Sequence, residues 1–150
     1  MLRNAMPKRL MSTSNDVALT TLRLVLGVVF FAHGAQKMLG WFGGFGFHAT
    51  MGSFAHLGMP APVAFLVICT EFFGGLGLIV GLLTRIAALG IGGEMIGAIF
   101  IVHLPNGFFM NWMGHQKGEG FEYHLLAIAI AATLLLRGAG AFSLDRLLSK

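Results

Sequence analysis

Hydrophobic residues along the chain form four long runs. Only Thr84 and Arg85 separate the second run from the third, which predicts a tight turn there, and the other two connections, residues 40–61 and 104–120, are longer and rich in glycine. The runs cover residues 18–39, 62–83, 86–103 and 121–136. A helix needs about 20 apolar residues, and at least about 17, to cross the hydrocarbon core of a bilayer. The first two runs meet this requirement, the third is marginal, and the fourth is free of charge only over residues 125–136. The pattern predicts an all-α integral membrane protein, a bundle of four transmembrane helices.

The basic residues support a fourth crossing and set the orientation that we predict. With both ends in the cytoplasm, the inside holds eight lysines and arginines and the outside two, as the positive-inside rule requires. Without the fourth span, which would then lie in the interface, three of the eight would move outside. The inside set is Arg3, Lys8, Arg9, Arg23, Arg85, Arg137, Arg146 and Lys150, and the outside set is Lys37 and Lys117.

Aromatic residues give the same division of the molecule. Nine of them fall at the predicted outer boundary, where they would form a one-sided aromatic belt. They are Trp41, Phe42, Phe45, Phe47, Phe108, Phe109, Trp112, Phe121 and Tyr123. We therefore predict a multi-pass protein with cytoplasmic N- and C-termini.

Composition agrees with a membrane location, since 56% of the 150 residues are hydrophobic and only 11% are charged. Soluble domains carry about 25% charged residues. We predict one transmembrane domain over residues 17–148, preceded by a cytoplasmic flank at 1–16. This flank should stay attached, because the apolar run after it exceeds the roughly 7–15 residues of a signal-peptide core. Met6 and Met11 leave the start of translation open.

Other classes of function find little support in the composition. The basic residues are scattered rather than collected into a stripe, so we expect no nucleic-acid partner. The single cysteine, Cys69, excludes an internal disulfide and a cysteine-based metal cluster. We expect it to be a structural thiol.

Ionisable residues inside the apolar runs gather at one depth. Each costs about 2.5–3.5 kcal/mol on insertion scales, so their positions are informative. With Arg23, Arg85 and Arg137 as the inner boundary and a rise of about 1.5 Å per residue, they lie about 14–21 Å above it. They are His33, Lys37, Glu71, Glu94 and His124. We expect them to point into the bundle, because small residues, which line helix contacts, share their faces. These small residues include Gly74, Gly75, Gly90, Gly97, Ala127 and Ala131.

Two interpretations of this layer remain open. In the first, the layer is a polar pocket that opens to the outside and binds a polar or quinone-like ligand, with Glu71 and Glu94 handling protons. The pocket would be built from His33, Gln36, Lys37, Glu71, Glu94, Glu122 and His124. In the second, the same groups form a network that only holds the helices together, with Lys37 snorkelling and Glu122 at an exposed helix start.

The sequence contains no known motif for binding a metal or a redox cofactor. Glu71 and Glu94 with His33, His103 and His124 could supply nitrogen and oxygen ligands, but the runs contain no HxxH, HExxH or ExxH pair, so we predict no metal. No flavin, haem or iron–sulfur motif is present, and the sequence encodes no cofactor. A redox role would therefore need a bound quinone, a partner subunit, or both.

Several stretches together resemble the DoxX family of small four-helix bacterial membrane proteins. The resemblance rests on LRLVLGVVFFAHGAQKMLG, on TEFFGGLGLIVGLLTRIAAL, and on an ending with Glu-Tyr before the last run and Gly-x-Gly-x-x-Ser-Leu-Asp after it. It spans roughly residues 20–148. The matched polar positions are His33, Gly34, Lys37, Glu71, Arg85, Asn106, Gly107, Glu122, His124 and Asp145.

The resemblance implies a bacterial inner-membrane protein. Some members of the family are subunits of thiosulfate:quinone oxidoreductases, and others are linked to quinone or thiol-oxidative stress, so it implies at most a subunit of a quinone-linked oxidoreductase. Our leading hypothesis is a membrane component of a redox or oxidative-stress system that binds a quinone, with a redox partner subunit or a second copy. The alternatives are a non-catalytic scaffold or assembly factor and a small-solute transporter. The small size and the lack of an inverted repeat count against transport.

Overall fold

The computed structural model describes residues 10–149. This part of the chain consists of helices and loops, without a strand. The helices are α1 (Val17–Leu39), α2 (Gly46–His56), α3 (Ala61–Val80), α4 (Thr84–Asn106), α5 (Glu122–Arg137) and α6 (Leu144–Leu148). The all-α class and the four main helices are confirmed. The flank residues 1–9 with Arg3, Met6, Lys8 and Arg9, and also Lys150, lie outside the described residues.

Three of the helices, α1, α3 and α4, are long and apolar enough to cross a membrane. Helix α5 has 16 residues and is about 24 Å long. This is shorter than the roughly 30 Å hydrocarbon core of a bilayer. The cytoplasmic position of the two ends stays a prediction.

The ends of the helices follow from local capping. Asp16 caps α1, because its side chain accepts hydrogen bonds from the N–H groups of Ala18 at 2.8 Å and Leu19 at 3.3 Å. Helix α3 ends earlier than residue 83, because Gly81 and Leu83 have φ angles of 72° and 51°. The connection to α4 is therefore residues 81–83. Our prediction that Thr84 and Arg85 form this turn was wrong, since both lie in the first turn of α4.

The four main helices form a closed ring in which α1 packs on α3 and α5, and α4 packs on the same two helices. Glycines allow the closest approach, between α1 and α3. A methyl group on Gly34 would overlap the backbone of Phe72, and one on Gly27 would lie 2.9 Å from the backbone nitrogen of Ile79. The core between the helices contains Leu26, Phe30, Leu78, Ile91 and Leu134.

Two structural ends can be distinguished in this bundle. We call the end that holds Arg23, Arg85 and Arg137 the arginine end, and the end that holds loops 40–60 and 107–121 the aromatic end. Helix α2 lies in the first of these loops, between the first two apolar runs. It packs on α1 and α3 and so covers part of the aromatic end.

Buried polar groups hold the arginine end together. Arg23 is only 1% exposed, and it donates hydrogen bonds to the carbonyl groups of Leu78, Ile79, Ala139 and Phe142. It is therefore a buried structural residue rather than a free charge at the membrane boundary.

The C-terminal segment closes the turn between α3 and α4. The carboxylate of Asp145, which is 1% exposed, accepts hydrogen bonds from the N–H groups of Leu83 at 2.7 Å and Thr84 at 2.9 Å. It thereby caps the N-terminus of α4 from a distant part of the chain.

Candidate functional site

A cavity of about 680 Å³ lies among α1, α3, α4 and α5, towards the aromatic end. Small-molecule sites usually have volumes of about 300–1,000 Å³. Most of the wall is apolar, and α2 contributes Phe54. The polar groups come from all four main helices, so the ring of helices is what brings them together.

An ion pair joins α1 and α3 at the wall of this cavity. The ammonium group of Lys37 lies 2.5 Å from Oε2 of Glu71, and the Glu71 side chain is 7% exposed. Glu71 belongs to a single π-helical turn at Thr70–Gly74, a local irregularity that is frequent at functional sites.

A second carboxyl group, that of Glu94 on α4, shares this region. It is close enough to Glu71 and Lys37 to interact with both electrostatically. Among the described residues, Lys37 forms its salt bridge with Glu71 and not with Glu94. The arrangement therefore has two carboxyl groups beside one lysine.

Three buried polar atoms of cavity-lining residues have no hydrogen-bond partner among residues 10–149. They are Oε2 of Glu94, the hydroxyl oxygen of Tyr123 and Nδ1 of His124. A buried polar group without a partner costs about 1–3 kcal/mol. A tyrosine hydroxyl can both donate and accept, and a histidine nitrogen does either according to its tautomer. The three atoms can thus bind complementary groups on a ligand.

A second histidine extends this polar wall towards the loops of the aromatic end. The ring of His103 lies against that of His124, with centroids 4.0 Å apart. Nδ1 of His103 is 2.8 Å from the carbonyl oxygen of Glu119, to which it can donate a hydrogen bond. The His103 ring is thereby fixed between α5 and the second loop.

The structure brings five of the seven predicted site residues to the cavity. These are His33, Lys37, Glu71, Glu94 and His124. The other two bind loop backbone instead. Nε2 of Gln36 donates to the carbonyl group of Phe42 at 3.1 Å, and Oε1 of Glu122 accepts from the N–H group of Met110 at 2.9 Å.

Two residues of the polar wall were not among the predicted site residues. Tyr123 was assigned only to the aromatic belt, and His103 was considered only as a possible metal ligand. The signal for Tyr123 was its position beside His124 at the start of the last run. No comparable signal exists for His103, because a π-helical turn at Ile99–His103 shifts its face.

Glycines on α4 have a different role from the one we expected. Gly90 contacts α3, since a methyl group there would lie 3.0 Å from Thr70. At Gly93 and Gly97 a methyl group would meet no atom within 4 Å, and both residues line the cavity. The prediction that Gly97 marks a helix contact was therefore wrong. Instead it leaves space beside Glu94.

Comparison with known proteins identifies the family of this chain. The DoxX family model matches residues 18–104. The chain belongs to the DoxX family. The matched range includes Lys37, Glu71 and Glu94, so most of the polar wall lies within it, and the resemblance stated above is confirmed.

Members of the DoxX family in three bacteria are similar over nearly their whole length. The protein named "Putative oxidoreductase CatD" of Bacillus subtilis is 33% identical, over 90% of both chains. "Inner membrane protein YqjF" of Escherichia coli is 31% identical, over 93% of this chain and 98% of its own. "Uncharacterized membrane protein Rv3486" of Mycobacterium tuberculosis is 31% identical, over 95% of this chain and 88% of its own. No solved structure gives a significant match.

Proposed function

We propose that this protein binds a quinone or quinol in the cavity and acts as a membrane component of a redox or oxidative-stress system. The observation that carries the proposal is the set of unpartnered polar atoms of Glu94, Tyr123 and His124 on an otherwise apolar cavity. The name of the Bacillus subtilis relative supports a link to oxidoreductases. That of the Escherichia coli relative supports an inner-membrane location. In this proposal both ends of the chain lie in the cytoplasm, because that orientation keeps most of the basic residues inside.

The polar atoms suit both redox forms of such a ligand. A quinone offers carbonyl acceptors on an apolar ring, and the hydroxyl of Tyr123 can donate to one of them. A quinol offers hydroxyl donors, and Oε2 of Glu94 and Nδ1 of His124 can accept them. The cavity can therefore satisfy the ligand before and after reduction.

Conversion of a quinone to a quinol consumes two electrons and two protons. The electrons would come from a redox centre on a partner subunit, since this chain carries no motif for one. Glu94 and His124 are placed to exchange protons with the ligand. Lys37 holds Glu71 in an ion pair, whereas Oε2 of Glu94 has no partner among the described residues and can contact the ligand.

A quinone titration tests this proposal. The protein in lipid nanodiscs is titrated with a short-chain ubiquinone by calorimetry, and Tyr123→Phe and Glu94→Gln are compared with the native chain. Loss of a hydrogen bond worth about 1.4 kcal/mol weakens binding about tenfold, and we expect that reduction in both variants. Tyr123→Phe should not destabilise the fold, because the hydroxyl has no partner in the described part of the chain.

Glu122→Gln is the matched control. It makes the same change in charge one residue before Tyr123, but Glu122 binds the loop rather than lining the cavity. We expect native affinity for this variant. The proposal is rejected if the native chain does not bind quinones, or if Tyr123→Phe and Glu94→Gln bind as tightly as the control.

One feature favours a second candidate, a scaffold or assembly factor. Phe45, Trp112 and Met113 at the aromatic end are at least 80% exposed, and aromatic residues and methionine are enriched at protein interfaces. In this case, Trp112→Ala would reduce recovery of a partner subunit from membranes while quinone affinity stays unchanged. Tyr123→Phe would leave partner recovery at the native level.

A further inference from the structure

Helices α3 and α4 do not pack against each other evenly along their length. Residues 70–80 of α3 pack on α4, whereas residues 61–69 pack mainly on α1 and α2. The two helices therefore separate towards the aromatic end. The cavity occupies the space between them, and both helices contribute to its wall.

Two glycines leave open space on the α4 side of the cavity. Gly93 and Gly97 line the cavity, and a methyl group added to either would touch nothing within 4 Å. Together with Ile101, which also lines the cavity, they form a strip that extends about one turn on either side of Gly97. We call this strip, together with the cavity-lining residue Leu66 of α3, the lateral groove.

The edges of the lateral groove are apolar and exposed. Leu66 is 61% exposed and Ile101 is 58% exposed, although both line the cavity. They belong to two helices that are long and apolar enough to cross a membrane, so the medium outside these edges is lipid hydrocarbon. The cavity is thus continuous with the bilayer through an apolar opening.

The polar and apolar parts of the cavity are separated. The unpartnered atoms belong to Glu94, Tyr123 and His124, and His124 is 5% exposed. The lateral groove, by contrast, offers hydrocarbon and bare backbone. This division matches a molecule with a polar head and a long hydrocarbon chain.

We propose that the cavity takes its ligand sideways from the bilayer and holds the ligand's hydrocarbon tail in the lateral groove between α3 and α4. The ligand class is then a lipid-soluble quinone with a long alkyl or prenyl chain, rather than a water-soluble quinone. This inference rests on the proposed function for the head of the ligand. To that function it adds the route by which the ligand enters and the position of its hydrocarbon tail.

The test fills the groove and compares two ligands that share a head. Gly97→Leu places a side chain where the tail would lie, and decyl-ubiquinone and the tail-free head group are each titrated in nanodiscs. We expect Gly97→Leu to weaken the binding of decyl-ubiquinone at least tenfold more than it weakens the binding of the tail-free quinone. Gly52→Leu on α2 is the control, because it is the same change in a helix where added atoms also meet nothing within 4 Å.

The outcomes separate the two proposals. If the native chain binds neither quinone, the proposed function fails. If both quinones bind and Gly97→Leu affects them equally or not at all, the lateral groove is wrong and the proposed function stands.

A second measurement does not depend on quinone. Lipids with a photoreactive group at the end of an acyl chain are activated around the native protein without quinone, and labelled residues are found by mass spectrometry. The exposed Leu89 and Leu126 serve as positive controls for contact with lipid. Labelling at residues 93–97 is expected, and its absence while Leu89 and Leu126 are labelled would overturn the lateral opening.

Discussion

The ammonium group of Lys37 and the carboxylate of Glu71 lie 2.5 Å apart and join α1 to α3 beside the cavity. Lys37 is 24% exposed and Glu71 is 7% exposed, so the pair is largely removed from solvent. Removal of one partner leaves an unpaired charge in these surroundings. This is costly, because neither water nor lipid can take the place of the missing partner.

Removal of one partner should therefore lower the free energy of unfolding, and removal of both partners should restore much of it. Loss of one partner of a buried ion pair costs about 3–5 kcal/mol, and we expect about 3 kcal/mol for Lys37→Met because Lys37 is partly exposed. The double variant Lys37→Met with Glu71→Gln should regain more than half of this loss. Denaturant unfolding in mild detergent measures both. Equal stability of Lys37→Met and the native chain would contradict the prediction.

The cap that Asp145 forms at the N-terminus of α4 should be important for stability. Asp145→Ala leaves the N–H groups of Leu83 and Thr84 without their partner, and we expect it to lower the free energy of unfolding by about 2 kcal/mol. Ser53→Ala is the control, since that hydroxyl is exposed and bonds only within α2. The same unfolding assay applies. A loss no larger than that of the control would show that the cap is dispensable.

Two glycines in the membrane helices should respond in opposite ways to the same substitution. Gly34→Ala would overlap the backbone of Phe72, and overpacking costs about 1–3 kcal/mol. Gly93→Ala meets open space, and replacement of a helical glycine by alanine gains about 0.5–1 kcal/mol. Thermal unfolding of the two variants side by side gives the sign of each change. Two changes of the same sign would contradict the assigned roles.

The orientation of the bundle can be measured with two equally exposed aromatic residues. Trp112 at the aromatic end is 84% exposed, and Phe142 at the arginine end is 83% exposed. In a Cys69→Ser background, Trp112→Cys should react in intact cells with a maleimide that does not cross the inner membrane. Phe142→Cys should react only after the cells are permeabilised. The opposite pattern would place the arginine end outside.

The helices could be predicted from the sequence because each span leaves a continuous run of apolar residues. Helix α2 could not, because its 11 residues include two glycines and carry no run of comparable length. The turn between α3 and α4 was also misplaced. Its position depends on the backbone of Leu83, which adopts a left-handed conformation while Asp145 binds its N–H group.

The depth of a residue along its helix axis could be predicted better than the direction in which its side chain points around that axis. A constant rise per residue placed Lys37, Glu71 and Glu94 in one layer, and the structure brings all three to the cavity. Gln36 is next to Lys37 in the chain, yet its side chain turns to the loop at Phe42. The π-helical turns add a further shift, because each inserts an extra residue and rotates the helix face that follows.

Closure of the arginine end by the C-terminal segment also has a consequence for assembly in the membrane. Arg23 on the first helix and the turn after the second span both receive partners from residues 139–145. During synthesis these partners leave the ribosome only after α1, α3 and α4 have emerged. The early helices must therefore wait in the membrane with buried polar groups unsatisfied, and a chain released before residue 139 would present them to quality-control proteases.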